Sequence, residues 1–137
     1  MIGIVIVAHG GLAREYQAAM EHVVGKRPGI RAVSIGADDL RAEKQAEVNA
    51  AIDSVDMGDG VVVVTDMFGG TPSNLAVAAC DNPDRKVLYG VNLPMLVKLA
   101  KARNKPLDSA VQCALDAARK YINCADGLRV GKSAITA

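Results

Sequence analysis

Residues 2–8 read IGIVIVA, and residues 61–65 read VVVVT. Both are short, unbroken apolar runs rich in β-branched side chains. That is the signature of strands covered on both faces, as in a parallel sheet. Residues Ile30–Ile35 and Lys86–Tyr89 are weaker candidates of the same kind. Between these runs apolar residues recur at helical spacing: Tyr16, Met20, Val23 and Val24 after Gly11, then Val48, Ile52 and Val55 within 39–55. Leu107, Val111, Leu115, Ala118 and Ile122 form the clearest stripe, ahead of Asp126-Gly127. Pro72, Pro94 and Pro106 stand where helices start, because proline fits a first turn. Thr71 is expected to cap the helix that Pro72 begins, and Asp38-Asp39 the second helix.

Strand and helix therefore alternate along the chain, and a further helix follows. This order predicts an α/β fold: a doubly wound, mostly parallel sheet of about four strands with helices on both faces. The tail from Leu128 to Ile135 is expected as a short edge strand. The 137 residues show no repeat, linker or low-complexity segment, so a single domain over 1–137 is expected.

Composition narrows the function classes. Half the residues are hydrophobic, and 16 Lys+Arg against 15 Asp+Glu leave a net charge of +1. Bulk binding to nucleic acid or an anionic membrane needs an excess of positive charge, which is missing. Aromatics are 3%, too few for a stacking platform on single strands. No run approaches the roughly 20 apolar residues of a membrane span. Cys80, Cys113 and Cys124 form neither CxxC nor zinc spacing and read as small core residues. Their odd number, with no basic leader, points to a reducing, cytoplasmic setting. His22 reads as a surface or partly buried residue, and no metal or cofactor is expected.

In an open α/β sheet, ligands bind beyond the carboxyl ends of the strands, where strand order reverses. The first strand leads into His9-Gly10-Gly11, the third into Asp66-Met67-Phe68-Gly69-Gly70-Thr71-Pro72-Ser73-Asn74, and the fourth into Gly90-Val91-Asn92. If strands one and three are neighbours, His9 and Asp66 converge. A carboxylate on one ring nitrogen fixes the tautomer and frees the other nitrogen as a nucleophile. Gly10 and Gly11 allow close backbone approach and positive φ. Gly69, Gly70, Thr71 and Ser73 read as an anion cradle, with free N–H groups at a helix start and two hydroxyls. It is neither a Walker A loop nor a GxGxxG loop.

VIVAHGG at 5–11, TDMFGGTPSN at 65–74 and GVNLPML at 90–96 resemble the IIA domain of the mannose-type phosphotransferase system. The resemblance covers nearly the whole chain. It implies a phosphohistidine relay in which His9 takes a phosphoryl group from the phosphocarrier HPr and passes it to a IIB partner. It places Asp66 on the histidine ring, and Gly10, Gly69, Gly70, Thr71 and Ser73 beside the phosphoryl group. Phe68 and Asn92 border the same crevice as partner contacts. The resemblance also implies a homodimer that exchanges a C-terminal edge strand. No IIB segment follows within these residues, so the alternative is a regulatory protein whose target reads the phosphorylation of His9. A third reading is an α/β domain whose GGTPS loop holds a phosphorylated small molecule.

Overall fold

The computed structural model describes residues 1–128. β1 (Gly3–His9) is followed by α1 (Leu12–Val24), β2 (Ile30–Ile35), α2 (Arg41–Val55) and β3 (Val61–Thr65). Then come α3 (Thr71–Ala79), β4 (Arg85–Leu88), α4 (Leu93–Lys101), α5 (Leu107–Lys120) and a 3₁₀ turn, Ala125–Leu128. From residue 129 onward the expected edge strand lies outside the described residues.

The sheet order is β2-β1-β3-β4, with every neighbouring pair parallel. β1 is thus central: it pairs Ile4 with Ile30 on one side and with Val62 on the other. Strand order reverses between β1 and β3, which brings the two apolar runs of the sequence side by side. β1 extends one residue further than its apolar run, because His9 pairs with Ile35 of β2. His9 is therefore the last strand residue rather than the first loop residue.

Alternation along the strands divides the core. Ile4, Ile6, Val62, Val64 and Leu88 face α1, α4 and α5, meeting Met20, Leu96, Leu99 and Ala114. Val5, Val7, Val33, Val61 and Val63 face α2 and α3, meeting Val48, Ile52, Leu75 and Ala76. Each such aliphatic side chain stabilises the fold by about 1.5–3 kcal/mol when fully buried. The doubly wound prediction holds, with both faces of the sheet covered.

Some local expectations shift. Ala13 and Met20 carry the inner face of α1, while Val23 is turned away and exposed. On α5 the fully covered line is Ala110, Ala114 and Ala118. Leu107, Val111 and Leu115 flank it, and Ile122 lies exposed beyond the helix end. Small alanines at this spacing let α5 approach the neighbouring layer closely. Asp39 does not cap α2, whose N-cap is Leu40; its Oδ2 accepts from the Gly36 N–H at 2.6 Å and closes the preceding turn. Cys80 and Cys113 are half-buried and Cys124 is exposed, so the cysteines are not a core set. Burial pushes the Cys80 thiol up to about 11.

At the end of the sheet opposite the carboxyl termini of the strands, Arg103 is 3% exposed. Its guanidinium donates to the carbonyls of Ile2 (2.7 Å), Pro28 (2.7 Å) and Gly29 (3.1 Å). Its own carbonyl accepts from the Ile2 N–H at 3.0 Å. Burial, with Arg27 nearby, pushes its pKa below the ordinary arginine value. Nothing in the linear sequence marks this arginine, since its partners are backbone carbonyls distant in the chain. Among the described residues no helix is long and apolar enough to cross a membrane.

Candidate functional site

The site is built where β1 and β3 end. His9 closes β1, and Asp66 directly follows β3. Because these strands are neighbours, the two residues meet across 57 positions of sequence. Asp66 Oδ2 accepts from the backbone N–H of His9 at 3.0 Å and lies 2.7 Å from its ring Nδ1. Asp66 Oδ1 accepts from the Met67 N–H at 2.9 Å. Burial pushes the Asp66 carboxyl up. The hydrogen bonds from His9 backbone, His9 ring and Met67 outweigh it and hold the group below its ordinary value. The carboxylate is therefore ionised at neutral pH and can only accept. The hydrogen of the 2.7 Å contact belongs to Nδ1, which in the neutral ring leaves the lone pair on Nε2.

The two side chains differ in exposure. Asp66 is 12% exposed and His9 is 46% exposed. The fixed carboxylate sits beneath a ring that reaches the open surface.

Gly70 borders the reactive edge of that ring. A Cβ placed on Gly70 would stand 3.0 Å from His9 Cε1 and 3.2 Å from Nε2. Its φ of −93° suits any residue, so it is the closeness of the ring and not backbone strain that favours glycine here. Gly70 is also the N-cap of α3, with Thr71 as the first helical residue. The expected cap by Thr71 is therefore displaced by one position, and its side chain is exposed. The amino-terminal end of α3, with backbone N–H groups that lack intrahelical acceptors, begins beside Nε2.

Three members of the expected anion cradle have their polar hydrogens engaged elsewhere. The Gly10 N–H donates to the Ile35 carbonyl at 2.9 Å and continues the strand ladder. The Gly69 N–H donates to Ser73 Oγ at 2.9 Å, and the Ser73 hydroxyl donates to the Gly70 carbonyl at 3.0 Å. Ser73 is 1% exposed, so its side chain faces inward. The groups left at the surface are Gly70 and Thr71.

The expected partner contacts also separate. Phe68 is 66% exposed and pairs with Tyr89, also largely exposed, at a centroid distance of 5.0 Å. Tyr89 lacked any sequence signal, because it reads as the end of a strand. Asn92 is engaged inside the fold: its Oδ1 accepts from the Met95 N–H at 2.9 Å and caps α4. Its Nδ2 donates to the Ala118 carbonyl on α5 at 2.9 Å. Asn92 thus fixes the turn after β4 instead of offering a free amide.

Comparison with known proteins bears on the family and the fold. A family model described as "PTS system fructose IIA component" matches residues 3–115. The curated "PTS system mannose-specific EIIAB component" of Escherichia coli (strain K12) is 28% identical over 136 residues. That match covers 97% of this chain and 42% of the relative, so the chain spans well under half of that protein's length. Among solved structures, phosphotransferase system component EIIA from Streptococcus agalactiae is 26% identical with a TM-score of 0.76, covering 93% of this chain and 99% of that one. The mannose/sorbose specific IIA subunit from Enterococcus faecalis is 26% identical with a TM-score of 0.79, covering 89% and 92%. A PTS IIA protein from Streptococcus pneumoniae, 23% identical, shares the fold at a TM-score of 0.83 over 93% of this chain and 96% of that one.

Proposed function

The chain belongs to the mannose-type IIA family of the phosphotransferase system, and from that membership we propose that His9 is its phosphoryl carrier. A IIA component of this family is a phosphocarrier subunit of a sugar phosphotransferase system. In this reading His9 Nε2 attacks the phosphorus of a phosphohistidine on HPr. The donor's nitrogen–phosphorus bond breaks, its electron pair returns to the donor imidazole, and the Nε2–phosphorus bond forms. The Nδ1 proton stays on the ring, and Asp66 stabilises the positive charge that develops there. The donor is already activated, so no nucleotide takes part.

Phosphoryl transfer rests mainly on positioning and charge stabilisation. The backbone N–H groups of Gly70 and Thr71, the Thr71 hydroxyl and the positive end of α3 hold the transferring oxygens. The same steps in reverse hand the group to a IIB partner. The name of the E. coli relative, an EIIAB component, supports such an acceptor. Phe68 and Tyr89 give the docking protein an apolar ledge beside the crevice.

One observation carries the reading: Asp66 holds Nδ1 of a ring that remains 46% exposed. A small-molecule site encloses most of its ligand, whereas a ring that exchanges phosphate with other proteins must reach them. The test is transfer from phosphoenolpyruvate through enzyme I and HPr, read by intact mass at neutral or alkaline pH. One phosphate is expected on the wild type and none on His9→Ala. A normal phosphate on His9→Ala, or none on a folded wild type with active HPr, rules the assignment out.

A further inference from the structure

We propose that Ser73 is a positioning residue for phosphoryl transfer, setting the placement of Gly70 against the His9 ring; this rests on His9 being the phosphoryl acceptor. Ser73 is the third residue of α3, and its hydroxyl reaches back over the two glycines that precede the helix. It accepts from the Gly69 N–H at 2.9 Å and donates to the Gly70 carbonyl at 3.0 Å. The Gly70 carbonyl also receives the Asn74 N–H at 3.1 Å. Gly69 has a φ of +96°, a conformation that favours glycine and that the bond to Ser73 holds in place.

The consequence is geometric. Gly70 lies so near Cε1 and Nε2 of His9 that an added methyl would touch the ring. A small drift of this loop changes the distance from Nε2 to the first N–H groups of α3. Misplacement by about 1 Å in such a constellation costs up to roughly a hundredfold in rate. Gly70 has no side-chain cap at the helix start, and the two adjacent glycines contribute no side-chain packing of their own. The Ser73 hydroxyl supplies the missing constraint from below, at a position 1% exposed and out of reach of the transferring group. It thus acts through the loop.

Two variants test this. Ser73→Ala removes both hydrogen bonds, and Ser73→Cys keeps a similar volume with a weak donor and acceptor. The maximal rate of phosphorylation by phospho-HPr is expected to fall about tenfold in Ser73→Ala and less in Ser73→Cys. KM for phospho-HPr is expected to stay at its wild-type value, because the outer face of the site is untouched. The Nδ1 proton resonance of His9 is expected to persist, since Asp66 is intact. A folded Ser73→Ala with a wild-type maximal rate overturns the proposal, and so does a loss confined to KM or one equally large in Ser73→Cys. Failure of the wild type to be phosphorylated on His9 would instead remove the reading on which it rests.

Discussion

A single carboxylate oxygen of Asp66 receives two hydrogen bonds from His9, one from its backbone and one from its ring. The backbone bond fixes where the carboxylate stands, and the ring bond fixes the tautomer. Asp66→Asn keeps the shape and loses the charge. Its amide either accepts at the same point without stabilising an imidazolium, or turns an NH₂ toward Nδ1 and shifts the proton to Nε2. Phosphorylation of His9 is expected to slow by at least about tenfold, measured as the initial rate from phospho-HPr.

The same bonds make a statement about stability and pH. The Asp66 carboxyl is held below its ordinary value, so the stabilisation it brings is complete above the unfolded-state pKa of about 3.9. It is lost as pH falls through the lower folded-state value. Urea unfolding of wild type and Asp66→Asn at about pH 3 and about pH 7 is expected to show a difference that narrows in acid. A difference that stays constant with pH would contradict this origin.

Gly70→Ala separates space from backbone strain. The φ of −93° accommodates alanine, but the new methyl meets the His9 ring at 3.0–3.2 Å. The exposed ring is expected to swing away and loosen its bond to Asp66. The Nδ1 proton resonance should weaken and phosphorylation should slow, while thermal stability changes by less than about 1 kcal/mol.

Arg103→Met takes the guanidinium from the Ile2, Pro28 and Gly29 carbonyls, of which Gly29 still receives the Ile4 N–H. A loss of about 2–4 kcal/mol is expected by urea unfolding. Arg103→Lys is not expected to restore it, because an ammonium cannot reproduce the three-way fork. Phosphorylation of the folded fraction should be unaffected, since the clamp sits at the far end of the sheet.

Phe68→Ala and Tyr89→Ala remove an exposed ledge, and stability is expected to change by less than about 1 kcal/mol. KM for phospho-HPr is expected to rise about five- to thirtyfold, with the maximal rate preserved. An unchanged KM in both variants would place docking elsewhere.

The fold was legible because IGIVIVA and VVVVT admit few other readings, and alternation then dictates the architecture. The meeting of His9 and Asp66 was legible from strand ends and topology together. What escaped was side-chain direction at short range. Whether Ser73 faces the crevice or the loop beneath it depends on helix phase at a terminus, where one residue of shift reverses the answer. Asn92 looked available because a capping amide and a contacting amide are the same letters in a turn. Arg103 was silent because backbone carbonyls leave no mark on a sequence.

The Arg103 clamp joins residues 101 positions apart, tying the first residues of the chain to the end of the region after α4. A contact of such span is non-local, so the entropy of closing its loop is met only when the fold forms as a whole. The base of the central strand therefore belongs to the global unfolding of the sheet and not to any local unit of it.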